Sequence, residues 1–244
     1  MAQITVIFAH PDDELIYFYQ MLQQLKPVQL RLICVTGKFS VDETVRLNEL
    51  AQAGAQLGGE LINLGLEDRR GQGLDTQTLH DRLSSIRVDV DMPVLTHGPF
   101  GEYGHRHHVD VFRAVFRRFG EQVWCLSGPL SVDNEYRLNA DEFRCKQAQV
   151  QAIYSSQKVK GFATQCECLT HVSSSMFADV LLAGCGGEKV AAQRVEAFLE
   201  WVKVAYLGPH ERMPVEARAV ADVKGEAMVK EHMISRIEEW RACA

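Results

Sequence analysis

The amino-acid sequence contains, at residues 3–14, the stretch Gln-Ile-Thr-Val-Ile-Phe-Ala-His-Pro-Asp-Asp-Glu. Its first seven residues are a run rich in β-branched and apolar side chains, which is typical of a strand buried on both faces of a parallel sheet. One imidazole and three carboxylates follow this run, and an apolar pattern at helical spacing then extends to residue 25. Ligands of open α/β sheets bind at the carboxyl ends of the strands, so the stretch predicts both a fold and the position of a site.

The alternation of strand and helix patterns continues along the chain. Strand patterns recur at residues 30–36, 61–64, 92–96 and 122–126, and helical patterns at 42–57, 76–86, 109–119 and 140–154. This alternation predicts an α/β protein with a three-layer Rossmann-like fold, in which helices cover both faces of a mostly parallel central sheet. Beyond residue 160 the pattern is looser, with helical segments near 188–205 and 222–241. We expect a single domain over residues 1–244, with a core at about 1–160 and a C-terminal region that completes the substrate crevice.

The composition is typical of a soluble globular protein. Of the 244 residues, 46% are hydrophobic and 24% charged, and 26 Lys and Arg against 32 Asp and Glu leave a net charge of −6, which argues against a nucleic-acid partner. No window approaches the roughly 18 consecutive apolar residues of a membrane span, and the N-terminus lacks a signal-peptide pattern. Seven scattered cysteines, an odd number, indicate reduced thiols. We therefore predict a cytoplasmic protein without a membrane span, and the sequence is compatible with a homo-oligomer.

The first polar cluster follows the first predicted strand and comprises His10, Asp12, Asp13 and Glu14. Adjacent carboxylates raise each other's pKa, and a bound divalent cation would neutralise them. In a tight turn His10 and Asp13 can face one point, while Asp12 points elsewhere and stays available for proton transfer. Alternatively, Asp12 or Asp13 only caps the helix that starts at Glu14, because Asp is a favoured N-cap residue. This cluster alone does not decide between the two interpretations.

The second polar cluster follows the fourth predicted strand, at residues 97–108, and holds four of the nine histidines. Because the carboxyl ends of parallel strands meet at one edge of a sheet, we expect the two clusters to face each other across a crevice. A solvated His-rich loop without function is the alternative, and the pairing with the first cluster disfavours it. Two imidazoles and one carboxylate are a ligand set of catalytic zinc sites.

The two clusters resemble the motifs of the PIG-L/LmbE-like family of zinc-dependent N-acetylglucosaminyl deacetylases. Residues 9–14 read Ala-His-Pro-Asp-Asp-Glu, and residues 101–108 read Gly-Glu-Tyr-Gly-His-Arg-His-His, similar to the family's Gly-x-Tyr-Gly-His-Pro-Asp-His. Weaker similarities around Arg46 and in the stretch 146–157 extend the resemblance over roughly residues 1–160. The resemblance implies one Zn²⁺ per chain with the ligands His10, Asp13 and His108, Asp12 as general base, His105 as electrostatic or acid partner, and Tyr103 as an oxyanion contact.

The chain departs from the family pattern at Arg106 and His107, which replace the usual Pro-Asp. His107 could replace His108 as a ligand or bind a second ion, but the unaltered spacing from Gly104 favours His108. Arg46 could reach the crevice and bind a substrate hydroxyl or phosphate. An Arg three residues before Glu49 on a helix is, however, more often a solvated ion pair.

The resemblance implies a zinc-dependent hydrolase that removes the N-acetyl group from an N-acetylglucosamine-type amino sugar or its conjugate and releases acetate. One alternative is a zinc-dependent amidase that acts on a larger acyl or thiol conjugate. Another is a catalytically silent protein that binds a sugar or metal. No Gly-x-Gly-x-x-Gly follows the first strand and no Gly-x-Ser-x-Gly occurs, which argues against NAD binding and against an α/β serine hydrolase.

Overall fold

The computed structural model describes residues 3–26, 29–39, 42–69, 71–89, 91–99, 101–126, 134–157, 159–172, 179–180 and 191–197. A seven-stranded sheet contains β1 (Gln3–Phe8), β2 (Gln29–Lys38), β3 (Glu60–Glu67), β4 (Val94–Thr96), β5 (Val123–Leu126), β6 (Asn134–Arg137) and β7 (Cys166–His171). The strand order is β3-β2-β1-β4-β5-β7-β6. The first five strands are parallel to one another, whereas β7 runs antiparallel to β5 and to β6. The predicted mostly parallel sheet is confirmed.

Helices pack on both faces of the sheet, which confirms the three-layer prediction. They are α1 (Asp13–Tyr17), α2 (Tyr19–Leu25), α3 (Glu43–Leu57), α4 (Thr76–Ser84), α5 (Gly101–Gly104), α6 (Arg106–Phe119) and α7 (Ala140–Ile153). Successive residues of a strand point to opposite faces, so Val6 and Ile7 of β1 enter different cores. Val6 packs with apolar residues of α1, α2, α3 and α7, and Ile7 packs with those of α4 and α6.

The structure differs from the sequence-based expectations in three places. The helix predicted from residue 14 to residue 25 is divided into α1 and α2 at Phe18, whose φ is −122°. Helix α6 begins three residues before its predicted start, so His107 and His108 lie in its first turn. Strands β6 and β7 were not predicted, because neither contains a run of β-branched or apolar residues. The predicted helix at 222–241 lies outside the described residues, and of the one near 188–205 the structure describes a helical segment at 192–197.

The topology places the ends of β1 and β4 side by side. From β1 the chain continues to β2 and β3 on one side of the sheet, whereas β4 and β5 lie on its other side. A crevice opens at such a reversal of strand order, outside the carboxyl ends of the two strands. Hydroxyl groups fasten this edge: Thr96 Oγ1 donates to the carbonyl of Ile7 at 2.9 Å, and Thr36 Oγ1 donates to the carbonyl of Ala9 at 2.8 Å. These hydrogen bonds fix the backbone at the carboxyl ends of β1 and β4.

None of the helices within the described ranges combines the length and the apolarity needed to cross a bilayer. Of the cysteines in the described part of the chain, Cys34 is a buried free thiol and Cys145 an exposed one.

Candidate metal centre

The turn after β1 curls the Asp13 carboxylate back towards the strand. The amide of His10 donates to Asp13 Oδ2 at 2.7 Å, and the amide of Asp13 donates to the His10 carbonyl at 3.2 Å. Asp12 between them has φ 128°, a strained conformation that non-glycine residues adopt mainly at functional sites. The Asp12 side chain makes no capping hydrogen bond to α1, so the capping interpretation does not explain this residue.

Three buried side chains from the two motifs converge at one point. His10 Nδ1 lies 3.3 Å from His108 Nε2 and 3.4 Å from Asp13 Oδ2, and His108 Nε2 lies 3.5 Å from Asp13 Oδ1. Tetrahedral zinc with bonds of about 2.0–2.1 Å holds neighbouring ligand atoms roughly 3.3–3.4 Å apart. The separations between these donor atoms therefore fit a zinc ion, and the donor set is of the type that catalytic zinc uses.

Glu102 orients the ring of His108 through Nδ1, the nitrogen that does not face the other donor atoms. Its Oε2 contacts His108 Nδ1 and lies 3.2 Å from His97 Nδ1, while its Oε1 accepts the amide proton of Gly98 at 2.8 Å. A ring N–H donated to a carboxylate leaves the opposite nitrogen, Nε2, with its lone pair towards the other donor atoms. Sequence reasoning gave Glu102 and His97 no role. Their position inside the His-rich cluster was the only available signal.

The buried charges of His97, Glu102 and Asp13 stabilise one another. Burial alone would lower the pKa of His97, but the carboxylates of Glu102 and Asp13 raise it to about 9. Burial likewise opposes ionisation of Glu102, yet His97 and His108 lower its pKa to about 2. The pKa of Asp13 is held well below its usual value, against the effect of burial, by His108 and His97. Both carboxylates are therefore ionised, as acceptors of histidine N–H groups should be.

The second ring nitrogen of His10 faces away from Asp13 and towards His107. His10 Nε2 lies 2.9 Å from His107 Nδ1, and His107 Nε2 lies 2.8 Å from the carbonyl oxygen of Gln72. Burial first, and then His10, lowers the pKa of His107 to about 4, so its ring is neutral at pH 7. Donor atoms of His10, His105 and His107 also lie within 4.8 Å of one another and form a second histidine group.

Asp12 lies beside a buried hydrogen-bonded pair. Glu14 Oε2 accepts the amide proton of Asp12 at 3.2 Å, and the hydroxyl of Tyr154 donates to Glu14 Oε1. Burial, followed by the charges of Asp13 and Glu14, raises the pKa of Asp12 well above its usual value, while Arg46 acts in the opposite direction. A buried carboxyl with a raised pKa is suited to proton exchange near neutral pH.

His105 and Tyr103 precede α6. The ring centroid of His105 lies 4.7 Å from that of His10 and 4.5 Å from that of His108, so this predicted residue joins the cluster. Burial, then His108 and His10, lowers the pKa of His105 well below its usual value, which favours a neutral ring. Tyr103 belongs to α5, and its side chain lies outside the described part of the structure.

Arg46 does not form the solvated pair with Glu49 that its sequence spacing suggested. Its Nη1 lies 3.4 Å from Asp68 Oδ2, and its guanidinium carbon lies 3.9 Å from the centre of the Phe39 ring. Glu49 is buried and accepts hydrogen bonds from the amide and the hydroxyl of Ser156, at 2.9 and 2.7 Å. The alternative was wrong because α7 is followed by a segment that supplies donors to Glu49. The guanidinium of Arg46 remains near Asp12, whose pKa it lowers.

Part of this chain is similar to a known protein family. Residues 5–119 match the family model of PIG-L, described as GlcNAc-PI de-N-acetylase, and this span includes both motifs. The match confirms the resemblance seen in the sequence.

Among solved structures, N,N′-diacetylchitobiose deacetylase from Pyrococcus horikoshii, complexed with its inhibitor MPG, has a TM-score of 0.53 and 14% identity, and the alignment covers 69% of this chain and 82% of that chain. The hydratase GalB of Pseudomonas putida, which acts on 4-carboxy-2-hydroxymuconate, has a TM-score of 0.46 and 16% identity, over 66% of this chain and 82% of that chain. The A40926 pseudoaglycone deacetylase Dbv21 has a TM-score of 0.47 and 16% identity, and the alignment covers 64% of this chain and 82% of that chain. At these identities the first likeness shows a shared fold.

Proposed function

We propose, because residues 5–119 match the PIG-L family model, that this chain is a metal-dependent N-deacetylase. Its substrate would be an N-acetylglucosamine-type amino sugar or a conjugate of one, and its products acetate and the free amine. The observation that carries the proposal is the convergence of His10 Nδ1, Asp13 and His108 Nε2 at separations of 3.3 to 3.5 Å. The family's own motifs supply these three residues.

In this proposal His10, Asp13 and His108 would hold one Zn²⁺. When bound, zinc would polarise the acetamide carbonyl and make the attacking water more acidic. Glu102 supports the ligand role of His108, because its carboxylate accepts a hydrogen bond from the Nδ1–H group and leaves the lone pair of Nε2 for the metal.

Asp12 would carry the proton during hydrolysis. Its carboxylate takes a proton from the attacking water and later delivers it to the nitrogen of the departing amine, so that no net proton is gained or lost by Asp12. The raised pKa of Asp12, due to burial and to the neighbouring charges of Asp13 and Glu14, supports this role because the group exchanges protons nearer to neutral pH.

His105 would stabilise the oxyanion that develops when water attacks the acetamide carbon. A neutral imidazole, which the lowered pKa of His105 favours, carries one ring N–H for this purpose. The resemblance implies that Tyr103 contributes a second hydrogen bond. Arg46 would bind a hydroxyl or a phosphate of the substrate at the rim, next to Asp68.

An acetate-release assay tests the proposal. The purified protein is analysed for metal and then screened against N-acetylhexosaminides and their conjugates, before and after chelation and after zinc is restored. We expect acetate release that chelation abolishes and zinc restores. Parallel substrates with longer acyl chains test the amidase alternative, which would be favoured by faster turnover of those amides. Tight sugar or zinc binding without any turnover would instead indicate a silent binding protein and contradict the proposal.

A further inference from the structure

We propose that His107 is a positioning residue for His10. In this role it accepts a hydrogen bond from the Nε2–H group of His10 and so fixes the tautomer in which Nδ1 of His10 is available to a metal. The inference rests on the proposed function, because it concerns the metal that His10 would bind. It assigns a role to the residue at which this chain departs from the family pattern.

The contact between Gln72 and His107 determines the ring hydrogen of His107, and the contact between His107 and His10 then determines that of His10. The carbonyl of Gln72 can only accept, so His107 Nε2, which lies 2.8 Å away, carries a hydrogen. When the one ring hydrogen of His107 is on Nε2, its Nδ1 has a lone pair, and in the 2.9 Å contact with His10 Nε2 the hydrogen then comes from His10. Nδ1 of His10 is thereby left with its lone pair directed towards Asp13 and His108, at 3.4 and 3.3 Å.

The Gln72 carbonyl, which accepts the hydrogen bond from His107, lies in a segment with fixed backbone. The Gln72 amide donates to the Arg69 carbonyl at 3.0 Å, and the Leu74 amide donates to Asp110 Oδ2, on α6, at 2.9 Å. Between them, Gly73 packs against α6 so closely that an added Cβ would lie 2.8 Å from Arg106 Nε. The loop after β3 is therefore fixed to the helix that carries His107, and the Gln72 carbonyl keeps its distance from the ring.

A second ion held by His10, His105 and His107 is the competing explanation. Ligand atoms on one zinc lie roughly 3.3–3.4 Å apart. The 2.9 Å between His10 Nε2 and His107 Nδ1 is instead the usual length of a hydrogen bond. Such an ion would also need both ring nitrogens of His10 without a proton. The geometry thus favours the hydrogen bond.

The test compares zinc affinities of the full chain by competition with a chromophoric chelator. His107→Phe removes both hydrogen bonds of the ring, and loss of such a partner weakens metal binding by about 10–100-fold. His107→Asn places an amide oxygen where the imidazole has Nδ1, so it keeps an acceptor for His10 and should stay within about threefold of the wild type. His80→Phe, a change of the same kind at a half-buried position of α4, is the matched control and should bind zinc normally.

Two further measurements make the result independent of activity. Nitrogen-15 NMR of the metal-free protein should show the His10 proton on Nε2, and the metal-to-protein ratio should be one in both the wild type and His107→Phe. Wild-type zinc affinity in His107→Phe would overturn the proposal, as would a ratio that falls from two to one, since His107 would then be a ligand. A wild-type protein that binds no zinc would overturn the proposed function itself, which distinguishes the two failures.

Discussion

Tyr154, at the end of α7, donates its hydroxyl proton to the carboxylate of Glu14, which lies 140 positions earlier in the chain at the start of α1. Glu14 in turn accepts the amide proton of Asp12 at 3.2 Å. Two hydrogen bonds thus connect the far end of the described core to the strained residue to which we assign proton transfer.

We expect Tyr154→Phe to lower kcat while KM changes little. The variant keeps the buried ring but leaves Glu14 with one partner fewer, so the turn at Asp12 is less well positioned and kcat should fall roughly tenfold. Loss of a hydrogen bond to a buried carboxyl group should also reduce the free energy of unfolding by about 1–3 kcal/mol. Steady-state kinetics and urea denaturation measure the two effects. Tyr19→Phe, at a half-buried position of α2, is the control, and an unchanged kcat in Tyr154→Phe would refute the positioning role.

Asp12→Asn should abolish turnover without releasing the metal. General acid–base catalysis contributes about 10²–10⁴-fold, and an amide of the same shape cannot carry the proton, so kcat should fall by that factor. Zinc content should stay at the wild-type value, because Asp12 is outside the proposed ligand set. Asp42→Asn, at an exposed position before α3, is the control. If zinc were lost together with activity, Asp12 would be a ligand and the assignment of the base would be wrong.

Glu102→Gln should weaken zinc binding even though Glu102 is not a proposed ligand. An amide accepts the Nδ1 proton of His108 less strongly than a carboxylate and also presents a donor group to His97. Partners of this kind affect metal affinity by about 10–100-fold, which chelator competition measures. Glu121→Gln, an exposed change of the same chemistry, should leave the affinity unaltered. Equal affinities in the two variants would show that Glu102 does not orient His108.

Lys146→Met should destabilise the protein, because it leaves Glu167 buried without its cation. Lys146 Nζ donates to Glu167 Oε1 at 2.7 Å and to the carbonyl of Ile16, in α1, at 2.6 Å. Removing one partner of a buried ion pair costs about 3–5 kcal/mol of the free energy of unfolding.

The companion variant Glu167→Gln allows a double-mutant cycle for this pair. The free energies of unfolding in urea should show that the double variant Lys146→Met with Glu167→Gln is more stable than the sum of the two single effects predicts. Lys38→Met, at an exposed site of β2, should change stability by less than about 0.5 kcal/mol. Strict additivity would mean that the two groups do not stabilise each other.

The parallel part of the fold was predictable from local patterns. Strands β1 to β5 and the helices between them, except the short α5, each show either a compact apolar run or helical spacing, and right-handed crossovers then determine the layers. Strands β6 and β7 were not predictable in this way. The β7 stretch Cys166–His171 includes Glu167, whose burial makes sense only once Lys146 from α7 lies next to it.

The residues of the candidate metal centre were predictable for a different reason. His10, Asp12 and Asp13 are contiguous and follow a buried strand, and His105 and His108 stand in a motif with fixed spacing after another strand of the same sheet. Local sequence therefore identified the two clusters that meet at this edge of the sheet, but it gave no role to Glu102 and His97. Local sequence could not predict which residues Arg46 contacts, because Asp68 and Phe39 come from other segments of the chain.

By itself the sequence determined the alternation of strands and helices and the presence of imidazoles and carboxylates after two strands at the same edge of the sheet. Only the tertiary structure decided which nitrogen of each histidine faces the proposed metal, since Glu102 orients His108 and the carbonyl of Gln72 acts on His10 through His107. The proton positions on a ring depend on acceptors that lie within about 3 Å in space. Those acceptors come from separate segments of the chain, and no local pattern of residues encodes how folding brings them together.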